Sequence, residues 1–277
     1  MRAYVSFAWY DLEFIVAVLA PDVIDFLFPH SILHETKSVY HCGAIIGDIS
    51  GSFREFSKNK YPELGLLPSK TDVYSVVGAT EYGITDDSVL TFATAHTILH
   101  MSNHDGTVDS SDFASSYHSF GNTYRHPIGD YGPGFSKWLR GNSRKAYNSC
   151  GNGSAMRVSP CGWASEDDSG VLELAFNSSA CTHNHPEGIK GAQATAIMIS
   201  LASSGYDIDQ IIPKLERMHL SYAPIDKFDH FDSICPDTMR LVINVLMTTD
   251  NFTDAVLKAV TIPNGDSDTL GKIRCIL

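Results

Sequence analysis

Between His185 and Gly205 the chain reads HPEGIKGAQATAIMISLASSG, with a proline near the first turn, a glycine past the last, and Gly191, Ala192, Ala194 and Ala196 set among the apolar residues. Proline is favoured at the first helical position and glycine just beyond the final one, so the bracket predicts one helix. Its small residues predict that other helices come close to its backbone. From residue 43 onward apolar residues recur at helical spacing, with few of the alternating stretches that a sheet requires. The chain is therefore read as all-α.

Further helices are expected over 44–56, where Gly47 and Gly51 permit close backbone approach, and over 85–101. Others are expected over 236–248, opening at Pro236 and burying Met239, Val242, Ile243 and Leu246, and over 251–260 with Phe252, Val256 and Val260. Pro213 leaves 207–218 unsettled, because a proline removes a helical hydrogen bond. The stretch up to Gly83, the turn cluster SNHDGTVDSSD and residues 118–153, rich in glycine, asparagine and aromatics, are read as loops. Loops of that length usually carry function or are disordered.

A formal charge of -12, from 20 basic and 32 acidic residues, and the lack of any basic run give no footprint for a nucleic-acid backbone. Cys42, Cys150, Cys161, Cys181, Cys235 and Cys275 are scattered and include no C-x-x-C pair, which argues against a zinc knuckle and a dense disulfide framework. A reducing, cytoplasmic setting and a monomer are expected. Residues 1–41 are apolar and aromatic but interrupted by Asp11, Glu13, Pro21, Asp22 and Asp25, which suits neither a spanning helix nor a signal peptide. They are read as an extension packed on a domain covering 42–277.

The chemistry-bearing signals are acidic. ITDDSVLTF places Asp86 and Asp87 side by side at a helix start. Thr85, Asp86, Asp87 and Ser88 all favour such starts, so capping is one reading. Adjacent carboxylates repel, so a shared cation is the other. NGDSDTLGKI repeats the pattern with Asp266, Asp268 and Thr269. The two clusters together offer the hard oxygen ligands that magnesium or manganese prefers, and could share two ions. In NSCGNGSAMRVSP, Gly151 and Gly153 flank Asn152 in a loop that is either a plain turn or a backbone approach to a sugar or phosphate. His183 and His185 precede the 185–205 helix as polar caps or as donors to a substrate.

The strings GAIIGDISGSFRE, TDDS, GNGSAMRVSP, THNHPEGIKGAQA and GDSDT, in that order, resemble the ADP-ribosylglycohydrolase family, in the bacterial-type branch related to the enzyme that removes ADP-ribose from dinitrogenase reductase. The resemblance implies a compact orthogonal helical bundle holding two magnesium or manganese ions in a cleft. It implies that Thr85, Asp86 and Asp87 hold one ion and that Asp266, Asp268 and Thr269 complete the pair, with Asp268 bridging. Glu55 matches the family's acidic residue near the scissile bond. Ser149, Cys150, Gly151, Asn152 and Gly153 match the loop that holds ribose and phosphates, and His183 matches a substrate-contacting histidine. The ions would grip ribose hydroxyls and orient a water for attack at the anomeric carbon, with a carboxylate taking its proton.

IPNGDSDT has Asn264 where relatives usually carry a further glycine, a position that asparagine's tolerance of left-handed backbone angles accommodates. FDSICPDTM lacks the family's glycine-serine turn, and the chain ends at Leu277 where relatives continue through another helix. The expected activity is hydrolysis of an N- or O-glycosidic ADP-ribosyl bond on a protein side chain or small molecule. A catalytically silent ADP-ribose binder on the same fold is the alternative, and a two-metal phosphoesterase fits less well.

Overall fold

A helix without a single charged residue after its second turn runs Pro186–Ser203, and much of the described fold packs against it. The computed structural model describes residues 44–45, 47–52, 84–100, 107–231 and 233–276, all within the unit Gly43–Leu277. The extension expected over 1–41, the loop before Gly83 and Glu55 lie outside the described residues. Residues 44–45 and 47–52 are helical. Then follow α1 (Asp86–His100), α2 (Ser110–Thr123), α3 (Pro133–Arg140), α4 (Gly153–Met156), α5 (Ser159–Trp163), α6 (Asp168–Ala180), α7 (Pro186–Ser203), α8 (Ile208–Arg217), α9 (Cys235–Met247), α10 (Phe252–Thr261) and α11 (Ser267–Ile276). Among the described residues there is no strand, only isolated bridges between Thr85 and Ile128 and between Gly151 and Ile234.

α7 packs against α4, α5, α6, α8 and α9. Its small residues make this possible, because a Cβ on Gly191 would lie 2.5 Å from Cys235 Sγ, and one on Gly162 of α5 would lie 2.7 Å from the Ala196 carbonyl. Ala192, Ala194, Ala196, Ile197 and Met198 are completely buried. Each large apolar side chain so buried contributes about 1.5–3 kcal/mol relative to exposure.

One expectation needs correction. Residues 118–153 are not one loop, since α2 extends to Thr123 and α3 spans Pro133–Arg140. The sequence SSDFASSYHSFGNT has poor helix propensity, but Asp109 and Asp112 form a reciprocal capping box, and Phe113 and Tyr117 are fully buried on one face. Tertiary burial overrides propensity there. α6 also lay in a stretch with no sequence assignment. Pro213 is carried inside α8, with its ring exposed and a capping box from Asp207 to Gln210 securing the start.

The fold's most demanding buried group is Arg157, just after α4. It is fully buried, stacks 4.1 Å from the Tyr117 ring centroid, and donates from Nη2 to the Ser178 carbonyl and to Thr182 Oγ1.

Candidate functional site

The start of α1 is capped twice, and neither cap uses Asp86 or Asp87. Thr85 Oγ1 accepts from the Asp87 backbone N–H at 3.1 Å. Asp48, fully buried on the 47–52 helix, accepts from the Thr85 and Ser88 backbone N–H groups and from the Ser88 hydroxyl. Capping therefore explains Thr85, and Asp48 takes the remaining work from outside the helix. The carboxylate pair is left to face something else.

What it faces is α11. Thr269 Oγ1 lies 3.4 Å from Asp87 Oδ1, while Asp87 Oδ2 is buried with no hydrogen-bond partner. Asp268 is 5% exposed and accepts from the Thr269 backbone N–H. Burial raises the Asp86 carboxyl to about 7, assisted by repulsion from Asp266 and Asp48 and opposed by Lys272. Burial likewise raises Asp48 and Asp87, with Lys272 countering. Burial is the first cause of each shift, with repulsion among the carboxylates adding to it at Asp86 and Asp87.

These residues fit a hard divalent cation. Asp86 and Asp87 at the start of α1 meet Asp266 and Thr269 at the start of α11, through Thr269 Oγ1 at 3.4 Å from Asp87 Oδ1 and through repulsion between Asp86 and Asp266, and Asp87 Oδ2 lacks a hydrogen-bond partner. Among the described residues no three His, Cys, Asp or Glu side chains gather closely enough to cage an ion by themselves. Magnesium seldom needs such a cage, because it keeps several waters and takes one or two carboxylates.

The loop carrying Ser149 to Gly153 is fixed by backbone on both sides. The Asn152 N–H donates to the Ser233 carbonyl, the Cys235 N–H to the Cys150 carbonyl, and the Gly151 N–H to Ser149 Oγ. Asn152 spends its amide on Thr238 Oγ1 at 3.2 Å and Asp266 Oδ2 at 2.8 Å, so it anchors the acidic cluster. Asn264, just before that cluster, adopts φ 59°, the left-handed angle expected of it. Asp48 was missed in the sequence; its signal was a lone carboxylate inside the apolar run GAIIGDIS.

The two histidines separate. His185 caps α7, its Nδ1 accepting from the Glu187 backbone N–H. His183 is buried against the glycine loop, with Nε2 at 3.0 Å from where a Cβ on Gly153 would stand. Its Nδ1 lies 2.8 Å from Thr182 Oγ1, the oxygen that accepts from Arg157. Burial and the Arg157 charge hold the ring well below the usual histidine range, so it is neutral. The Thr182 contact at Nδ1 fixes the ring and leaves Nε2 directed toward the glycine loop.

The solved structure of an ADP-ribosylglycohydrolase-related protein complex is similar to this chain at 20% identity and a TM-score of 0.62, covering 86% of this chain and 84% of the other. The family model described as ADP-ribosylglycohydrolase matches residues 41–275. That match takes in every cluster described above, and the chain belongs to the ADP-ribosylglycohydrolase family.

Proposed function

We propose that this protein is a divalent-cation-dependent hydrolase that cleaves the glycosidic bond between ADP-ribose and a protein side chain or small molecule. The observation that carries the reading is the double cap of α1, which leaves Asp86 and Asp87 unneeded for the helix and turned toward Asp266, Asp268 and Thr269. Thr85, Asp86, Asp87, Asp266, Asp268 and Thr269 would hold magnesium or manganese. A bound cation would supply positive charge for the ribose hydroxyls and for a water made more acidic.

The chain's own groups then have distinct tasks. Asn152 fixes Asp266. Ser149, Cys150, Gly151 and Gly153 bring backbone up to the ribose and phosphates, and His183 offers its Nε2–H to an oxygen seated on that loop. Glu55, by its match in GSFRE, serves at the scissile bond, with Asp268 available to take a proton from the attacking water. Cys150, Cys161, Cys181 and Cys235 form no disulfide, which suits a reducing cytoplasm, and no described helix is long and apolar enough to cross a membrane.

The test is incubation with ADP-ribosyl-arginine, ADP-ribosyl-serine and acetylated ADP-ribose, with magnesium or manganese and with chelator, followed by chromatography of released ADP-ribose. Cation-dependent release from one of them is expected. ADP-ribose binding with no release from any would make the protein a binder instead.

A further inference from the structure

Arg157 carries a full positive charge into the interior, and the interior meets it with partial charges. The side chain is completely buried, and no carboxylate among the described residues is paired with it. Nη2 donates to the Ser178 carbonyl at 3.0 Å, in the last turn of α6, and to Thr182 Oγ1 at 2.7 Å. Cζ lies 4.1 Å from the centre of the Tyr117 ring. A helix C-terminus is equivalent to about half a negative charge, and a ring face supplies a quadrupole rather than a charge. Nε and Nη1 are buried with no hydrogen-bond partner. A charge so placed is costly until something balances it.

The hydrogen bonds lead from it to the glycine loop. Thr182 Oγ1, which accepts from Arg157, is 2.8 Å from His183 Nδ1. Across the ring, Nε2 stands 3.0 Å from where a Cβ on Gly153 would be and 3.6 Å from one on Gly151, so the loop backbone lies directly against it. The ring registers the buried charge, being held well below the usual histidine range by burial first and by Arg157 second. Two hydrogen bonds and one imidazole therefore separate the guanidinium from the loop assigned above to ribose and phosphates. The same loop is tied to the acidic cluster through Asn152 and Asp266.

We propose that Arg157 is a positioning residue for an anionic ligand, its charge balanced by phosphate groups seated on the glycine loop and linked to them through Thr182 and His183. Unit charges about 10 Å apart at an effective dielectric of about 20 attract by the equivalent of roughly a tenfold gain in affinity. The free protein bears the cost of the unbalanced guanidinium, and the bound protein recovers it. The inference rests on the ADP-ribose reading above and adds the group that recognises the diphosphate from behind the loop.

The experiment separates charge from packing. Arg157→Met keeps an unbranched apolar stem without the charge, and Arg157→Lys keeps a charge without the planar fork. Far-UV circular dichroism identifies which variants are folded, and calorimetric titration with ADP-ribose in magnesium measures affinity. The methionine variant should bind about tenfold or more weakly than the wild type. The lysine variant should recover much of that loss, which a group serving only the fold would not do. Unchanged affinity in the methionine variant, or equal losses in the two, would overturn the assignment. Should either variant fail to fold, the wild type decides alone: inorganic pyrophosphate, with chelator present, should raise its melting temperature, and no rise would overturn the assignment. Wild type that binds ADP-ribose but releases none from any conjugate would overturn the hydrolase reading and leave the role of Arg157 standing. Wild type that binds no ADP-ribose would overturn both.

Discussion

Asn152 donates its side-chain amide to the Asp266 carboxylate at 2.8 Å, across 114 positions of sequence. The glycine loop and the second acidic cluster are consequently parts of one site, and an ion held by Asp266 would depend on the loop for its ligand's orientation. Groups that orient metal ligands from behind are typically worth 10–100-fold in affinity.

Asn152→Ala should therefore weaken manganese binding by about tenfold or more. Calorimetric titration of the folded variant measures it. An unchanged dissociation constant would detach Asn152 from the metal.

The pH response of metal binding follows from Asp86. Its carboxyl is raised from an ordinary 3.8 to about 7, so between those values the folded chain retains a proton that the unfolded chain has released. The cation-free protein accordingly loses stability as pH rises through that window. His183, held well below its ordinary 6.5, works in the other direction, adding stability as pH rises toward that value and no more above it. The gain in melting temperature on adding manganese largely cancels the histidine contribution. That gain should be small at pH 5 and grow to pH 8, with affinity changing by up to about tenfold per pH unit below 7. Melts with manganese and with chelator at each pH provide the check, and a pH-independent gain would contradict it.

Gly51→Ala should disturb both stability and the site. Its Cβ would stand 2.2 Å from the Ser267 carbonyl oxygen and 2.3 Å from Asp268 Cα, where only backbone movement can relieve the clash. A loss of about 1–3 kcal/mol or more is expected by urea unfolding, together with weaker manganese binding. Gly132→Ala, with nothing within 4 Å of the added carbon, should stay within about 0.5 kcal/mol of wild type.

Thr182→Val preserves shape but removes an acceptor from Arg157 Nη2 and the partner of His183 Nδ1. Destabilisation of about 1–3 kcal/mol is expected. ADP-ribose affinity should fall as well, because the His183 ring loses its orientation, whereas Thr182→Ser should retain most of both. Equal affinity in the valine and serine variants would remove this orienting role.

The helices legible in sequence were those with clear brackets. α7, α9 and α10 run within a residue or two of the spans expected from Pro186, Pro236 and Phe252. α2 and α6 were not legible, because their serines, glycine and asparagines are poor helix formers and their stability comes from distant partners such as Ser178 beneath Tyr117. For the site, the two acidic clusters were visible as carboxylates gathered at helix starts, with capping and a shared cation both open. The tasks of Asp48 and Asn152 were not, since both bond to residues at least 37 positions away. Lys272 carried no signal in the sequence, and its complete burial among carboxylates comes only from the packing of α11.

Gly47 and Gly51 bring their helix into backbone contact with α11 at Gly271 and Asp268. Where helices meet through long side chains, rotamers can absorb a displacement. Here there is no such slack, and the junction transmits force as a rigid bearing would. A substrate that pulled on the 47–52 helix would move the Cα of Asp268, and a tighter grip at Asp268 would draw that helix inward. In this chain the seam of glycines makes ligand spacing a matter of backbone mechanics, adjustable only by moving whole helices.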